Sequence, residues 1–316
     1  MNLIQQQRYD PFDDNVKNFQ GYNGNLLIKK AGVQIEWTPA MVQEYFKCKE
    51  DPIYFAEKYM KIIVKGQGLV QIKLFDYQKE MIIAMKENRY NIFATARQAG
   101  KSTVVCAFVL WYMIFSDFKP IVAFLANKGE TADEILAKVK LAYENLPKWL
   151  QHGVYKWNEG EIELENGARA IAKATSSDSI RGFSIDLLFV DEAAFVENWD
   201  KFWPSTYNTI SSSPTTKVVL VSTPNGLNHF YSIWELAHRK DTEDWNEFSP
   251  IKVIWNQVPG RDEKWYNSTL KGLNFDRDKF NQEHCVRFDT HITIKDKITG
   301  KILNLTIEEL YELLKT

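Results

Sequence analysis

The feature that most constrains this chain is the run Asn91-Ile92-Phe93-Ala94-Thr95-Ala96-Arg97-Gln98-Ala99-Gly100-Lys101-Ser102, followed by Thr103 and an apolar stretch from Val104 to Phe115. A short strand passing through a small-residue loop into a helix leaves the first N–H groups of that helix without partners. With the helix dipole behind them, such groups cradle phosphate. A lysine and a hydroxyl at the end of the loop, here Lys101 and Ser102, suit the β- and γ-phosphates of ATP and a Mg²⁺ ion. The pattern departs from the usual P-loop at its first position, where Thr95 stands in place of glycine. Gly-Lys-Ser alone would equally describe a surface turn.

A second motif narrows the choice. Asp186–Val190 is a near-continuous apolar strand, and it ends in Asp191-Glu192. A buried strand delivering two acids beside a P-loop is the Walker B arrangement: Asp191 to hold Mg²⁺, Glu192 to act as general base on the attacking water. Acids at a helix start would explain Asp191 and Glu192, but not the apolar strand before them. A third apolar strand, Lys217–Val221, runs into Ser222 and Thr223, whose hydroxyls would face the ligand crevice at the carboxyl end of a sheet. An ST-turn before Pro224 accounts for the same two residues. Upstream, Gln78 could read an adenine edge with Tyr77 packed beside it, or it could simply begin a helix. Arg97 is a candidate arginine finger in cis, or a solvated loop residue.

Around these motifs strands and helices alternate. Helices are expected over Thr38–Lys49, Pro52–Tyr59, Asp76–Asn88, Ser102–Phe115 and Thr131–Asn145, the first opened by an N-cap Thr38 and Pro39. Pro120–Leu125 reads as a further strand, and Glu161–Leu164 and Arg169–Ala174 as a hairpin around Asn166-Gly167. The expected fold class is α/β, a P-loop NTPase core with a mostly parallel sheet flanked by helices and a small helical region before it. Its organisation is expected to be residues 1–58, then 59–284 with a lid-like segment from about Leu227, then 285–316. The polar, turn-rich residues 1–35 are expected to be loosely ordered.

Composition excludes little. The net charge of −2 gives no global basic field, so any nucleic-acid contact would be a local patch. The three cysteines Cys48, Cys106 and Cys285 have no metal-binding or redox spacing, and the reading is of a reducing cytosol. The N-terminus lacks the apolar core of a signal peptide. Val104–Phe115, the longest apolar stretch, is too short to span a bilayer, so no membrane partner is expected.

The segments Trp37–Val42, Asp76-Tyr77-Gln78, Ala96–Ser102, Ser179-Ile180-Arg181-Gly182, Val190–Phe195 and Ser222–Tyr231 occur in an order that resembles the large terminase subunit of T4-like phages, over about residues 30–284. The resemblance implies a motor that hydrolyses ATP to drive double-stranded DNA into a procapsid. It implies a homo-oligomeric ring on the procapsid, partnered by the portal protein and the small terminase subunit, in the host cell cytoplasm. It further implies an adenine-contacting Gln78, an Arg97 that acts in catalysis, and a coupling motif at Val221-Ser222-Thr223. The family's C-terminal metal-dependent nuclease domain is expected to be absent, with no room for it after residue 284. A helicase-like nucleic-acid ATPase is the rival reading, and it would need a second RecA-like domain.

From Cys285 the sequence changes character. Cys285-Val286-Arg287-Phe288-Asp289-Thr290, with a strand after it, resembles the opening of an intein. Cys285 would then be the splice-junction nucleophile in an N–S acyl shift. Lys295–Asn304 would form a hairpin turning at Thr299-Gly300. On that reading the chain is a precursor half that needs a complementary intein and nuclease fragment. A divergent terminase linker containing an ordinary cysteine is the alternative.

Overall fold

A computed structural model describes residues 10–176, 179–211, 213–284, 291–295 and 300–306. The chain opens with a short hairpin, β1 (Gly21–Tyr22) and β2 (Asn25–Lys29), then two helices, α1 (Pro39–Glu50) and α2 (Pro52–Tyr59). A second hairpin follows, β3 (Lys61–Val64) and β4 (Gly68–Gln71), and then α3 (Asp76–Glu87). The alternating part comprises β5 (Tyr90–Thr95), α4 (Lys101–Phe115), β6 (Ile121–Ala126) and α5 (Gly129–Glu144). Three strands come next, β7 (Val154–Asn158), β8 (Glu161–Leu164) and β9 (Arg169–Ala174). Then follow β10 (Leu187–Asp191), α6 (Trp199–Ser211), β11 (Lys217–Ser222), α7 (His229–Ala237) and β12 (Phe248–Val253). Helices α8 (Glu263–Gly272) and α9 (Arg277–His284) and the strands β13 (His291–Lys295) and β14 (Ile302–Thr306) complete it.

Eight strands form one sheet in the order β12-β5-β11-β10-β6-β9-β8-β7. The pairs from β12 to β9 are parallel, and β8 and β7 add antiparallel at one edge. Strand alternation divides the core into two layers. Phe93, Phe124, Phe189, Val219 and Val221 pack on one side of the sheet with α3, α4 and α5. Ile92, Leu125, Leu188, Val190 and Leu220 pack on the other with α6 and α7. Strands covered on both faces need apolar side chains at every position, which is why these runs read as continuous. Phe124 and Phe189 meet edge to face at 5.9 Å on adjacent strands. Truncating either to Ala would cost about 3–5 kcal/mol by opening a cavity. Helix α4 is buried along most of its length, from Val104 to Leu110 and again from Tyr112 to Phe115, so its apolar stretch belongs to the core.

The N-terminal segment differs from expectation. Residues 10–35 are fixed by long-range bonds rather than local propensity. Asp13 accepts the Trp149 amide at 3.0 Å, Phe12 meets the Trp149 ring edge-on at 5.2 Å, and Gln151 accepts the Lys29 amide at 3.0 Å. Asn23-Gly24, both at positive φ, turn the first hairpin. Residues after Leu227 also differ. Strand β12 joins the central sheet beside β5, so within the expected lid-like segment only the part beyond Val253 lies past the last strand of that sheet. In the tail, β13 and β14 pair antiparallel over His291↔Thr306 to Lys295↔Ile302, so the expected hairpin is longer than Lys295–Asn304.

Candidate nucleotide site at the carboxyl ends of the strands

Strands β5, β11 and β10 lie side by side with Ser222 level with Ala94 and Asp191 level with Val221. Their carboxyl ends therefore open on one edge, the place where open α/β sheets bind ligands. The P-loop leaves β5 there. Gln98 and Gly100 take left-handed backbones, φ 56° and 79°, and Gly100 caps α4. The positive φ favours glycine at Gly100, and a Cβ there would sit 2.6 Å from Gln78 Nε2 and displace that amide. Thr95 shows why the first glycine of the pattern is dispensable here. Its φ is not positive, it closes a regular strand, and its buried Oγ1 has no hydrogen-bond partner. Lys101, Ser102 and Thr103 form the first turn of α4 and are half-buried.

The ammonium of Lys101 reaches both acids at the end of β10. It lies 3.2 Å from Asp191 Oδ1 and is bonded to Glu192 Oε1. Asp191 is 4% exposed, and burial pushes its carboxyl above the ordinary carboxylate range, against the pull of Lys101. Glu192 is in the left-handed region, φ 49° and ψ 44°, a conformation that costs a non-glycine residue about 1–2 kcal/mol. Its Oε2 accepts from the Ser222 hydroxyl at 3.4 Å. Val221 is buried in β11, and Thr223 lines a cleft of about 400 Å³ with Arg97, Glu192, Phe195 and Glu283. A larger cavity of about 580 Å³ lies between the N-terminal segment and residues 145–148, and none of the motif residues lines it.

Tyr77 and Gln78 support the loop from behind. Tyr77 Oη donates to the Ala99 carbonyl at 2.9 Å, and Gln78 Nε2 donates to the same carbonyl at 3.3 Å. Gln78 Oε1 accepts the Phe75 amide at 3.0 Å, so the oxygen of the amide is already engaged at the start of α3. Burial pushes the Tyr77 hydroxyl up to about 12, which keeps it a donor.

Sequence reasoning missed the partners of Arg97. Its guanidinium pairs with Glu283 Oε2 at 2.8 Å, its amide donates to the Glu283 carbonyl at 2.7 Å, and its carbonyl accepts from Arg261 Nη2 at 2.8 Å. Ala96 donates to the Val253 carbonyl at 2.8 Å. Glu283 lies 186 residues from Arg97, and no local pattern could announce it. Cys285 falls outside the described residues.

A glycine-capped loop, a half-buried lysine and paired acids at the ends of parallel strands define this edge. The sequence profile of the terminase large subunit, T4likevirus-type, N-terminal part, matches residues 92–297. The chain belongs to this family. The match begins within β5, continues across Cys285 and ends just beyond β13. The terminase fold is also similar to solved structures. The large terminase ATPase domain of Thermus phage P74-26 is 19% identical, with a TM-score of 0.53 over 67% of this chain and 92% of that one. The large terminase of bacteriophage HK97 is 18% identical, with a TM-score of 0.62 over 78% of this chain and 56% of that one. The large terminase of a thermophilic bacteriophage, solved in complex with ADP, is 12% identical, with a TM-score of 0.50 over 77% of this chain and 73% of that one. At these identities the structural likeness establishes the α/β fold of this terminase, and its site chemistry rests on its own residues.

Proposed function

We propose that this chain hydrolyses ATP as the motor part of a phage terminase and couples hydrolysis to translocation of double-stranded DNA into a procapsid. The observation that carries the ATPase reading is the meeting of Lys101 with Asp191 and Glu192 at the mouth of the P-loop. In that arrangement the ammonium occupies the position between the acids and the loop where phosphate charge would otherwise be met. Binding ATP draws Lys101 to the β- and γ-phosphates and frees Glu192 to accept a proton from the attacking water. The bond from water oxygen to the γ-phosphorus forms as the bond to the bridging oxygen breaks, and ADP leaves with that oxygen. Arg97, already in the cleft, turns to the developing charge on the phosphoryl group.

The donors present suit Mg²⁺, which prefers hard oxygen ligands and retains several waters. Ser102 and Asp191 would hold it, and when bound it would neutralise charge on the phosphates. Among the described residues there is no cluster of three or more His, Cys, Asp or Glu able to hold a metal, so phosphate and water would complete the shell. Gln78 would meet adenine through its amide N–H, since its oxygen is engaged. Val221-Ser222-Thr223 would couple the chemistry to movement. The portal protein, the small terminase subunit and further copies in a ring would be the partners, at the procapsid in the host cytoplasm. No helix among the described residues is long and apolar enough to cross a membrane.

For residues 285–316 the sequence offers an intein opening at Cys285, to which β13 and β14, a two-stranded sheet like those of β1–β2 and β3–β4, add no support. The family match through residue 297 favours terminase structure instead.

Two substitutions test the ATPase. Lys101→Ala is expected to weaken ATP binding and abolish turnover, whereas Glu192→Gln keeps ATP bound and turns it over only at a slow residual rate. Turnover near the wild-type rate in Glu192→Gln would remove Glu192 from the role of base.

A further inference from the structure

The loop between β11 and α7 carries the run Pro224-Asn225-Gly226-Leu227-Asn228-His229, and three of its polar side chains end on the two residues after Glu192. Asn228 Nδ2 donates to the Ala194 carbonyl at 2.6 Å, and Asn225 Nδ2 donates to the same oxygen at 3.2 Å. His229 Nε2 lies 2.7 Å from the Ala193 carbonyl. A carbonyl only accepts, so that nitrogen carries the proton. The ring is held flat against Trp199 at 4.3 Å with an interplanar angle of 6°. From the strand itself, Ser222 Oγ accepts the Ala194 amide at 3.2 Å.

These bonds converge on a short 3₁₀ turn, Ala193–Phe195, that begins immediately after the left-handed Glu192. A non-glycine residue stays in that region only when its surroundings over-determine it. Locally, the Glu192 amide donates to Asp191 Oδ1 at 3.0 Å. The described side-chain bonds that fix the following turn come instead from Ser222 and the loop after β11. Asn228 also has a second duty: its Oδ1 accepts the Phe230 amide at 3.0 Å and caps α7. One amide therefore joins the start of α7 to the turn that aims Glu192.

We infer that Asn228 and His229 are positioning residues for Glu192, holding its carboxylate where it meets Lys101 and the phosphate site. They act by fixing the backbone that carries the base. The inference rests on the proposal that Glu192 is the base, and the test separates the two.

The two functions of Asn228 can be divided. Asn228→Ser keeps a good helix cap but is too short to reach Ala194, since serine and asparagine cap comparably. His229→Phe keeps a flat ring for Trp199 and removes the donor to Ala193. In the full chain both variants are expected to melt close to wild type and to bind a non-hydrolysable ATP analogue normally. Each should lose turnover by about ten- to a hundredfold, the scale of a misplaced catalytic group. In a Glu192→Gln background neither change should lower the residual rate further, because the group they aim is gone. Wild-type turnover in both variants overturns the inference, as does a rate loss matched by an equal loss of analogue binding. A further drop in the Glu192→Gln background shows action other than through Glu192 and overturns it too. A Glu192→Gln enzyme that itself turns over normally would sink the underlying reading instead.

Discussion

If Arg97 turns to the γ-phosphate as proposed, Glu283 competes for the same guanidinium, and the size of that competition follows from the structure. The pair with Arg97 is 2.8 Å long, with side chains 66% and 30% exposed. An ion pair that open to water is worth about 0.2–1 kcal/mol. If ATP recruits Arg97, that amount is subtracted from binding in the wild type. Glu283→Gln keeps the backbone bond to the Arg97 amide and the shape of α9 while removing the competing charge. The substitution is expected to tighten binding of a non-hydrolysable ATP analogue by up to about fivefold, the equivalent of 1 kcal/mol. The gain should shrink as salt is raised from 0.1 M towards 1 M, because the screening length falls from about 10 Å to about 3 Å. In an Arg97→Ala background the same change should leave affinity unaltered. Titration calorimetry at two salt concentrations measures both effects. Weaker binding in Glu283→Gln would mean that the carboxylate holds Arg97 ready for phosphate, and the competition argument would fail. The same follows if a gain persists without Arg97.

Two further outcomes are expected. Burial raises the Asp191 carboxyl above its ordinary value, so the folded state disfavours its charged form. The resulting cost is greatest above the raised value, falls as pH drops through it, and is gone below the unfolded value of about 3.9. Asp191→Asn should therefore melt higher than wild type at neutral pH, lose that advantage in acid, and show no turnover; an unchanged melting temperature at pH 7 would contradict the sign. Removing residues 285–316 should leave ATP turnover and melting temperature near wild type if the tail is a separate unit, while a large drop in either would assign it to the terminase fold.

Much of the fold could be read from the chain because its determinants are local or periodic. Strands β8 and β9 fall on Glu161–Leu164 and Arg169–Ala174 as expected, since Asn166-Gly167 dictates the turn between them. The buried parallel strands shift by only a residue or so, since continuous apolar runs mark them. Strand β12 carries no such mark. Pro250 lies within it, and a proline in a strand is tolerated at an edge, where β12 runs. Within the candidate site, the P-loop and the two acids announce themselves as contiguous motifs. Arg261, Val253 and Glu283 do not, because their contacts to Ala96 and Arg97 are made by a distant part of the chain with no repeating pattern. The order of the polar residues 10–35 has no local signal for the same reason: Asp13 and Phe12 are ordered by Trp149, far along the sequence.

The stretch from Val253 to Glu283 is tied to the P-loop at both of its ends, through the amides of two consecutive residues, Ala96 and Arg97. With Arg261 bonded to the Arg97 carbonyl as well, the stretch is mounted like a crank on two neighbouring residues of the loop. Consecutive Cα atoms are about 3.8 Å apart, so displacing one residue relative to the other by about 0.5 Å turns the mount by roughly 8°. Helix α8, ten residues long, extends about 15 Å, so its far end would swing by roughly 2 Å. A shift of about 0.5 Å in the loop would thus become one of roughly 2 Å at the far end of α8 if the stretch turns as one body, with gearing set by the spacing of a single peptide unit.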